Sequence, residues 1–252
     1  MWTRYELKER AKAVLRTSYW KAFLVSLLLA VITGGLPSCS YRYSGGGGGG
    51  GHVAGVSGEM GIGDAAWAAI IVIAIIIIVI AVLVGLALRI FLISPLEVGV
   101  RKYFIQSAQQ EVNLNHLGFS FARGRYGEVV KGMLWMMFLN ILWFLLLIIP
   151  GIVKSYSYSL VPYLLADNPG IGMKRAVSLS DRMTRGHKWR MFVLDLSFIG
   201  WFLLGTIALF VGTLFVLPYY NATKAELYLV LRDEALKEGF SSRMELNLPV
   251  LE

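Results

Sequence analysis

The chain has 252 residues, of which 56% are hydrophobic and only 16% charged, with a mean hydropathy of +0.62. A water-facing surface ordinarily takes about 25% charged residues, so this composition excludes an ordinary soluble domain. The balance of 24 Lys+Arg against 16 Asp+Glu gives +8, but the basic residues lie in blocks between apolar runs. That pattern points to anionic lipid headgroups at a cytoplasmic face and away from nucleic acid. The single cysteine, Cys39, excludes an intramolecular disulfide and a cysteine metal cluster, and His52, His116 and His187 show no ligand spacing. No metal, cofactor or catalytic residue is therefore expected.

Residues 1–21 read as a basic amphipathic helix. Arg4, Lys8, Lys12 and Arg16 recur on one side, with Leu7, Ala11, Val14, Leu15 and Ser18 on the other. Such a helix suits the membrane interface. Residues 22–36 are apolar and just long enough to cross a thin bilayer. Residues 37–64 contain the unbroken run Gly45–Gly51, which predicts a flexible extracytoplasmic loop. The Gly61-Ile62-Gly63 segment lacks the Lys-Ser/Thr of a phosphate-binding loop. Leu36-Pro37-Ser38-Cys39 faintly resembles a lipoprotein processing site, but its proline and the long charged segment before it argue against processing.

Residues 65–93 complete a first hairpin: Ala65–Leu88 is 24 residues without a charge, about 36 Å of helix against a hydrocarbon core of about 30 Å. A second hairpin is expected over 132–166, broken at Pro150-Gly151. An amphipathic cytoplasmic helix follows over 169–186, capped by Asn168, with Ala176, Leu179 and Met183 inward and Gly186 at its end. A third hairpin is expected over 191–231, and residues 232–252 form a cytoplasmic tail.

Because the three basic blocks at 1–21, 89–131 and 174–190 all prefer the cytoplasm, an even number of crossings separates each from the next. The fold class expected is an all-α polytopic membrane bundle of about six membrane-inserted helices, with both termini inside. A five-span chain with its tail outside is the alternative. Arg10-Ala11 through Trp20-Lys21 and Phe23-Leu24-Val25 also parallels Arg175-Ala176 through Trp189-Arg190 and Phe192-Val193-Leu194, a weak internal repeat.

Several short motifs resemble one family: Pro95-Leu96-Glu97-Val98-Gly99, Pro150-Gly151-Ile152, the Tyr-Ser-Tyr run at 156–158, Ala166-Asp167-Asn168-Pro169, Gly186-His187-Lys188, Leu196 to Trp201 and Pro218-Tyr219-Tyr220. On these the chain resembles the bacterial integral membrane family known as domain of unknown function 975, over nearly its whole length. The resemblance implies a multi-helix protein of a bacterial cytoplasmic membrane and carries no activity or functional residues with it.

Polar residues within apolar segments are the candidate functional positions. Lys154 either snorkels to headgroups or, with Tyr156 and Tyr158, lines a broken-helix cavity. Asp195 is expected to pair with Lys188, Arg190 or an incoming lipid-facing cation. Asp167, His187, Tyr219 and Asn221 complete the set, the tyrosines doubling as an aromatic belt. The expected function is non-enzymatic, transporter-like or lipid-organising. An intramembrane lipid-modifying enzyme would need Asp167, Asp195 and His187 to converge, and a structural envelope-stress role is a third reading. A protein partner or homo-oligomer stays open.

Overall fold

A computed structural model describes residues 2–33, 64–109, 111–207 and 211–249. The glycine run and Cys39 lie outside the described residues. Nine α-helices are described: α1 (Arg4–Thr33), α2 (Asp64–Leu88), α3 (Ser94–Ala108), α4 (Tyr126–Leu146), α5 (Ile148–Tyr158), α6 (Val161–Asp167), α7 (Met173–Met183), α8 (Lys188–Ile207) and α9 (Val211–Lys237). A π-helical turn, Arg89–Ile93, runs α2 directly into α3, and 3-10 turns occupy Leu114–Phe121 and Pro169–Ile171. No strand occurs among the described residues, so the fold is all-α. Four helical stretches are long and apolar enough to cross a membrane: Arg4–Val31, Ile70–Ala108, Tyr126–Leu146 and Lys188–Ile207.

The burial pattern separates a packed region from an uncovered one. The packed region is a tight core: Leu7 and Ala11 of α1, Val98 to Ile105 of α3, Val129 and Met133 of α4, Leu164 to Ala166 of α6, and Ala225 to Leu231 of α9. The other leaves large apolar side chains uncovered, with 83% exposure at Leu145 and 80% at Ile207. From Ile70 to Leu88, α2 is exposed around its whole circumference. Each such side chain forgoes about 1.5–3 kcal/mol of burial in water, so these surfaces call for an apolar surrounding.

Where the helices bend, a local cause is visible. α1 kinks at Ser18 (φ −134°, ψ 24°), and the Ser18 hydroxyl donates to the Val14 carbonyl one turn back, a bond that competes with the helix's own ladder. The inward face expected for its first half is correct, with Leu7, Ala11, Leu15 and Ser18 buried. Within residues 132–166 the break falls at Leu147 (φ −161°, ψ 143°), not at Pro150-Gly151. Proline lacks only an N–H that the first turn of a helix does not use, so Pro150 sits in the first turn of α5 and the chain bends before it. Gly151 then packs so close to Phe144 that a Cβ there would collide with it. A second break at Ser159-Leu160, with Pro162 opening α6, makes the returning limb two short helices. α5 alone, at 11 residues, reaches only about 16 Å.

Asn168 caps as expected, its Oδ1 accepting from the Gly170 N–H at 2.9 Å, but it caps a 3-10 turn. Gly172 (φ +83°) interrupts the helix expected over 169–186, and α7 begins after it. Gly186 (φ +83°) ends the turn before α8. α9 runs on to Lys237, so 232–237 belongs to the helix and not to a tail.

Two glycines separate close packing from free surface. A Cβ at Gly99 would collide with the Leu117 carbonyl, which is backbone and cannot swing aside, whereas one at Gly200 meets nothing within 4 Å. Gly99→Ala is expected to destabilise the protein by about 1–3 kcal/mol. Gly200→Ala is expected to be neutral or stabilising by up to about 1 kcal/mol. Thermal unfolding in a mild detergent compares the two.

Candidate polar cavity and its buried charge network

Asp167 ends α6 and is only 3% exposed. Its Oδ2 accepts from the Tyr228 hydroxyl at 2.7 Å and from the Arg232 guanidinium at 2.9 Å, both on α9. Lys102 of α3 stands 3.6 Å from Oδ1. Two cations and a phenol around one carboxylate satisfy a charge that burial alone would make costly.

Next to it, Arg101 of α3 is held three ways. One nitrogen donates to the Asn221 carbonyl oxygen at 3.0 Å and the Tyr163 hydroxyl at 3.3 Å, and the other reaches Glu97 at 3.2 Å. Asn221 donates onward to the Ser26 hydroxyl of α1 at 3.1 Å. Tyr163 stacks on Tyr228 with centroids 5.1 Å apart, so the two clusters form one polar seam joining α1, α3, α6 and α9.

A cavity of about 220 Å³ opens on this seam between α3, α5, α8 and α9. Arg101, Tyr156, Tyr163, Asp195, Tyr220 and Lys224 provide its polar and aromatic walls. Asp195 pairs with Lys224 at 2.5 Å, not with Lys188: α8 and α9 pack antiparallel, which brings Lys224 opposite. Lys188 turns instead to Asp181 at 3.3 Å. The cavity lies where uncovered apolar stretches begin, Ile152 and Val153 on α5 and Leu196 and Ile199 on α8.

The structure thus brings Tyr156 and Asp195 into one cavity and sets Asn221 and Asp167 in the seam behind it. The remaining candidates lie elsewhere. Lys154 does not line the cavity. It pairs with Asp181 of α7 at 3.5 Å and sits over the Trp143 ring at 5.4 Å and the Tyr158 ring at 5.7 Å. Burial pushes the Asp181 carboxyl up, but the Ser157 hydrogen bond and the Lys188 and Lys154 ammoniums outweigh it and hold the group below its usual range. Tyr219 packs edge-on against Phe198 and faces Lys12 and Arg16. His187 meets Glu234 at 3.3 Å, stacks on Trp2, and lines a different cavity beside Arg182 and Glu238. Asp167, Asp195 and His187 therefore occupy three separate surroundings. Among the described residues no group of three or more His, Cys, Asp or Glu is placed to hold a metal ion.

Sequence reasoning missed Arg101, Lys102, Lys224 and Arg232, which it counted with headgroup-facing or tail cations. One signal was available for α3: Val98, Val100, Tyr103, Phe104 and Ile105 surround Arg101-Lys102 with apolar residues on most sides, and Glu97 one turn before Arg101 is a ready counter-charge. A helix apolar all round is buried, and its cations are buried with it.

Beyond α9 the chain folds back on α7. Arg175 donates to Glu245 at 2.6 and 3.1 Å and to the Phe240 carbonyl at 2.8 Å, and Asn168 donates to the Glu245 carbonyl at 2.9 Å. Bonds from Arg175 hold the Glu245 carboxyl below its ordinary 4.5, against the opposing effect of burial and with help from Ser241 and Ser242.

Two outcomes follow from this wiring. Asp167→Ala strands two buried cations and is expected to cost about 3–5 kcal/mol. Glu9→Ala, which breaks an exposed pair with Lys12, costs under about 1 kcal/mol; unfolding in micelles measures both. For the tail, a carboxyl whose folded pKa is depressed stabilises the latch above pH 4.5 and loses that contribution as pH falls through the lower folded value. A nitroxide at Met244→Cys should gain mobility on acidification below pH 4.5. With Glu245→Gln it should be mobile throughout, with a flat pH profile.

No curated protein matches the chain, and no solved structure matches it. The model of a family described as a protein of unknown function, DUF975, matches residues 126–235. The match starts at the first residue of α4 and stops within the last turn of α9. α1 to α3, with the Pro95-to-Gly99 motif, fall outside it, so the family likeness is narrower than the near-complete coverage the motifs suggest. Residues 126–235, which supply the Asp167 cluster's α6 and α9 and the Asp195–Lys224 pair, are thus the part of the chain that is similar to the DUF975 family.

Proposed function

We propose that the protein is a non-enzymatic integral membrane protein of a bacterial cytoplasmic membrane that gathers anionic lipid at its cytoplasmic face. The observation that carries this reading is the edge of α1. Lys8 lies 4.4 Å over the Phe198 ring. Lys12 and Arg16 share a groove with Tyr19 and Tyr219, and Arg4 shares another with Trp2, Trp189 and Arg190. Cations alternating with aromatic rings are the chemistry of the headgroup region.

On this reading the whole chain forms one membrane domain of about six inserted helices. The second half of α1 and α2 make the first hairpin, α4 and the α5–α6 limb the second, and α8 and α9 the third. The first half of α1 and α7 lie at the inner interface, and both termini are cytoplasmic. A transporter-like role is the second reading, supported by the cavity at the Asp195–Lys224 pair. A lipid-modifying enzyme is disfavoured because Asp167, Asp195 and His187 do not share a pocket.

The test is retention of phosphatidylglycerol by the full chain, followed by native mass spectrometry from nanodiscs. At about 1 kcal/mol per interfacial cation, Arg4→Gln/Lys12→Gln/Arg16→Gln together should weaken retention roughly a hundredfold. Equal retention by the triple variant, with fold intact, counts against the reading.

A further inference from the structure

The cavity between α3, α5, α8 and α9 has walls of both charges. Lys224 and Asp195 are neighbours at 2.5 Å, and Arg101 is balanced by Glu97 at 3.2 Å. Two cations and one carboxylate thus line the cavity, with Glu97 behind Arg101, and cation and anion sit side by side at its surface. Arg101 is already committed through both terminal nitrogens, while its Nε is buried without a hydrogen-bond partner. Lys224 also lies 5.4 Å from the centre of the Tyr220 ring, and Tyr156 faces Asp195 across the space.

A purely anionic guest would compensate Lys224 and leave Asp195 facing it in a poorly solvated space. A purely cationic guest would do the reverse. A guest carrying both charges replaces one ion pair with two, its anion between Lys224 and Arg101 and its ammonium against Asp195 with tyrosine rings at its flank. The volume, about 220 Å³, equals that of about seven waters at roughly 30 Å³ each. That admits a compact polar group.

We propose that this cavity binds a small zwitterion, an ammonium joined by a short linker to a phosphodiester or carboxylate. Such a group is supplied either by the headgroup of an aminophospholipid entering from the bilayer beside α5 and α8 or by a free solute. The inference rests on the cavity walls and not on the α1 surface, and phosphatidylglycerol, which lacks an ammonium, does not satisfy it.

The experiment uses the full-length protein in phosphatidylglycerol nanodiscs, titrated with glycerophosphoethanolamine, glycerol phosphate and ethanolamine. The zwitterion is expected to bind at least tenfold more tightly than either half. Asp195→Asn should erase the preference over glycerol phosphate, and Lys224→Gln the preference over ethanolamine. Phosphatidylethanolamine carried through purification and displaced by glycerophosphoethanolamine identifies the bilayer as the source; binding of the soluble zwitterion alone identifies a solute. Wild-type protein that binds the zwitterion no better than its halves overturns the proposal, without recourse to any variant. So does Asp195→Asn protein that is folded and keeps the full preference.

Discussion

Asp167 is the residue on which the arrangement of helices depends. It closes α6, and its carboxylate is surrounded by Arg232 and Tyr228 from α9 and Lys102 from α3. Each of those side chains is buried or nearly so, which makes the interaction unforgiving: any one group removed leaves the others without solvent or partner. Through the Tyr163–Tyr228 stack the cluster meets Arg101, and through Asn221 it reaches Ser26 on α1. Elements far apart in sequence are thus bound by directional contacts, in a chain whose remaining surface is too apolar to discriminate between partners.

That apolar surface sets the second constraint. Leu145 to Ile149, Leu203, Leu204 and Ile207, and Ile70 to Leu88 of α2 are uncovered, while the polar seam is buried among α1, α3, α6 and α9. A surrounding that is apolar at one end and aqueous at the other satisfies both, and the proposed membrane setting follows from it. The two amphipathic segments share a form. Ala11 and Ala176 are fully buried, Trp20 and Trp189 are 70% and 73% exposed, and a bend at Ser18 or at Gly186 precedes each tryptophan.

Much of the helical plan was legible because apolar periodicity and proline placement are local. Most of the buried faces of α1 and α7 could be read this way, and Asn168 does cap, but it caps a 3-10 turn, and α7 stops at Met183, three residues before Gly186. Break positions were less so: the Pro150-Gly151 pair marks a bend, but the bend falls at Leu147, since proline is tolerated inside a first turn. Of the candidate site, Tyr156, Asp167, Asp195 and Asn221 could be singled out as polar groups in apolar stretches. Their partners could not. Lys224 opposite Asp195 and Arg232 opposite Asp167 depend on how α9 packs against α8 and α6, and a count of cations by segment assigns both to the membrane surface.

The most direct test places single nitroxide labels, in a Cys39→Ser background, at Leu147→Cys, Ile207→Cys and Arg185→Cys in reconstituted vesicles. The labels report collision with oxygen, which concentrates in lipid, and with a water-soluble nickel chelate. The account predicts oxygen-dominated collisions at Leu147 and Ile207 and chelate-dominated collisions at Arg185. Chelate access at Leu147 and Ile207 equal to that at Arg185 would contradict it, since the uncovered apolar helix ends would then stand in water.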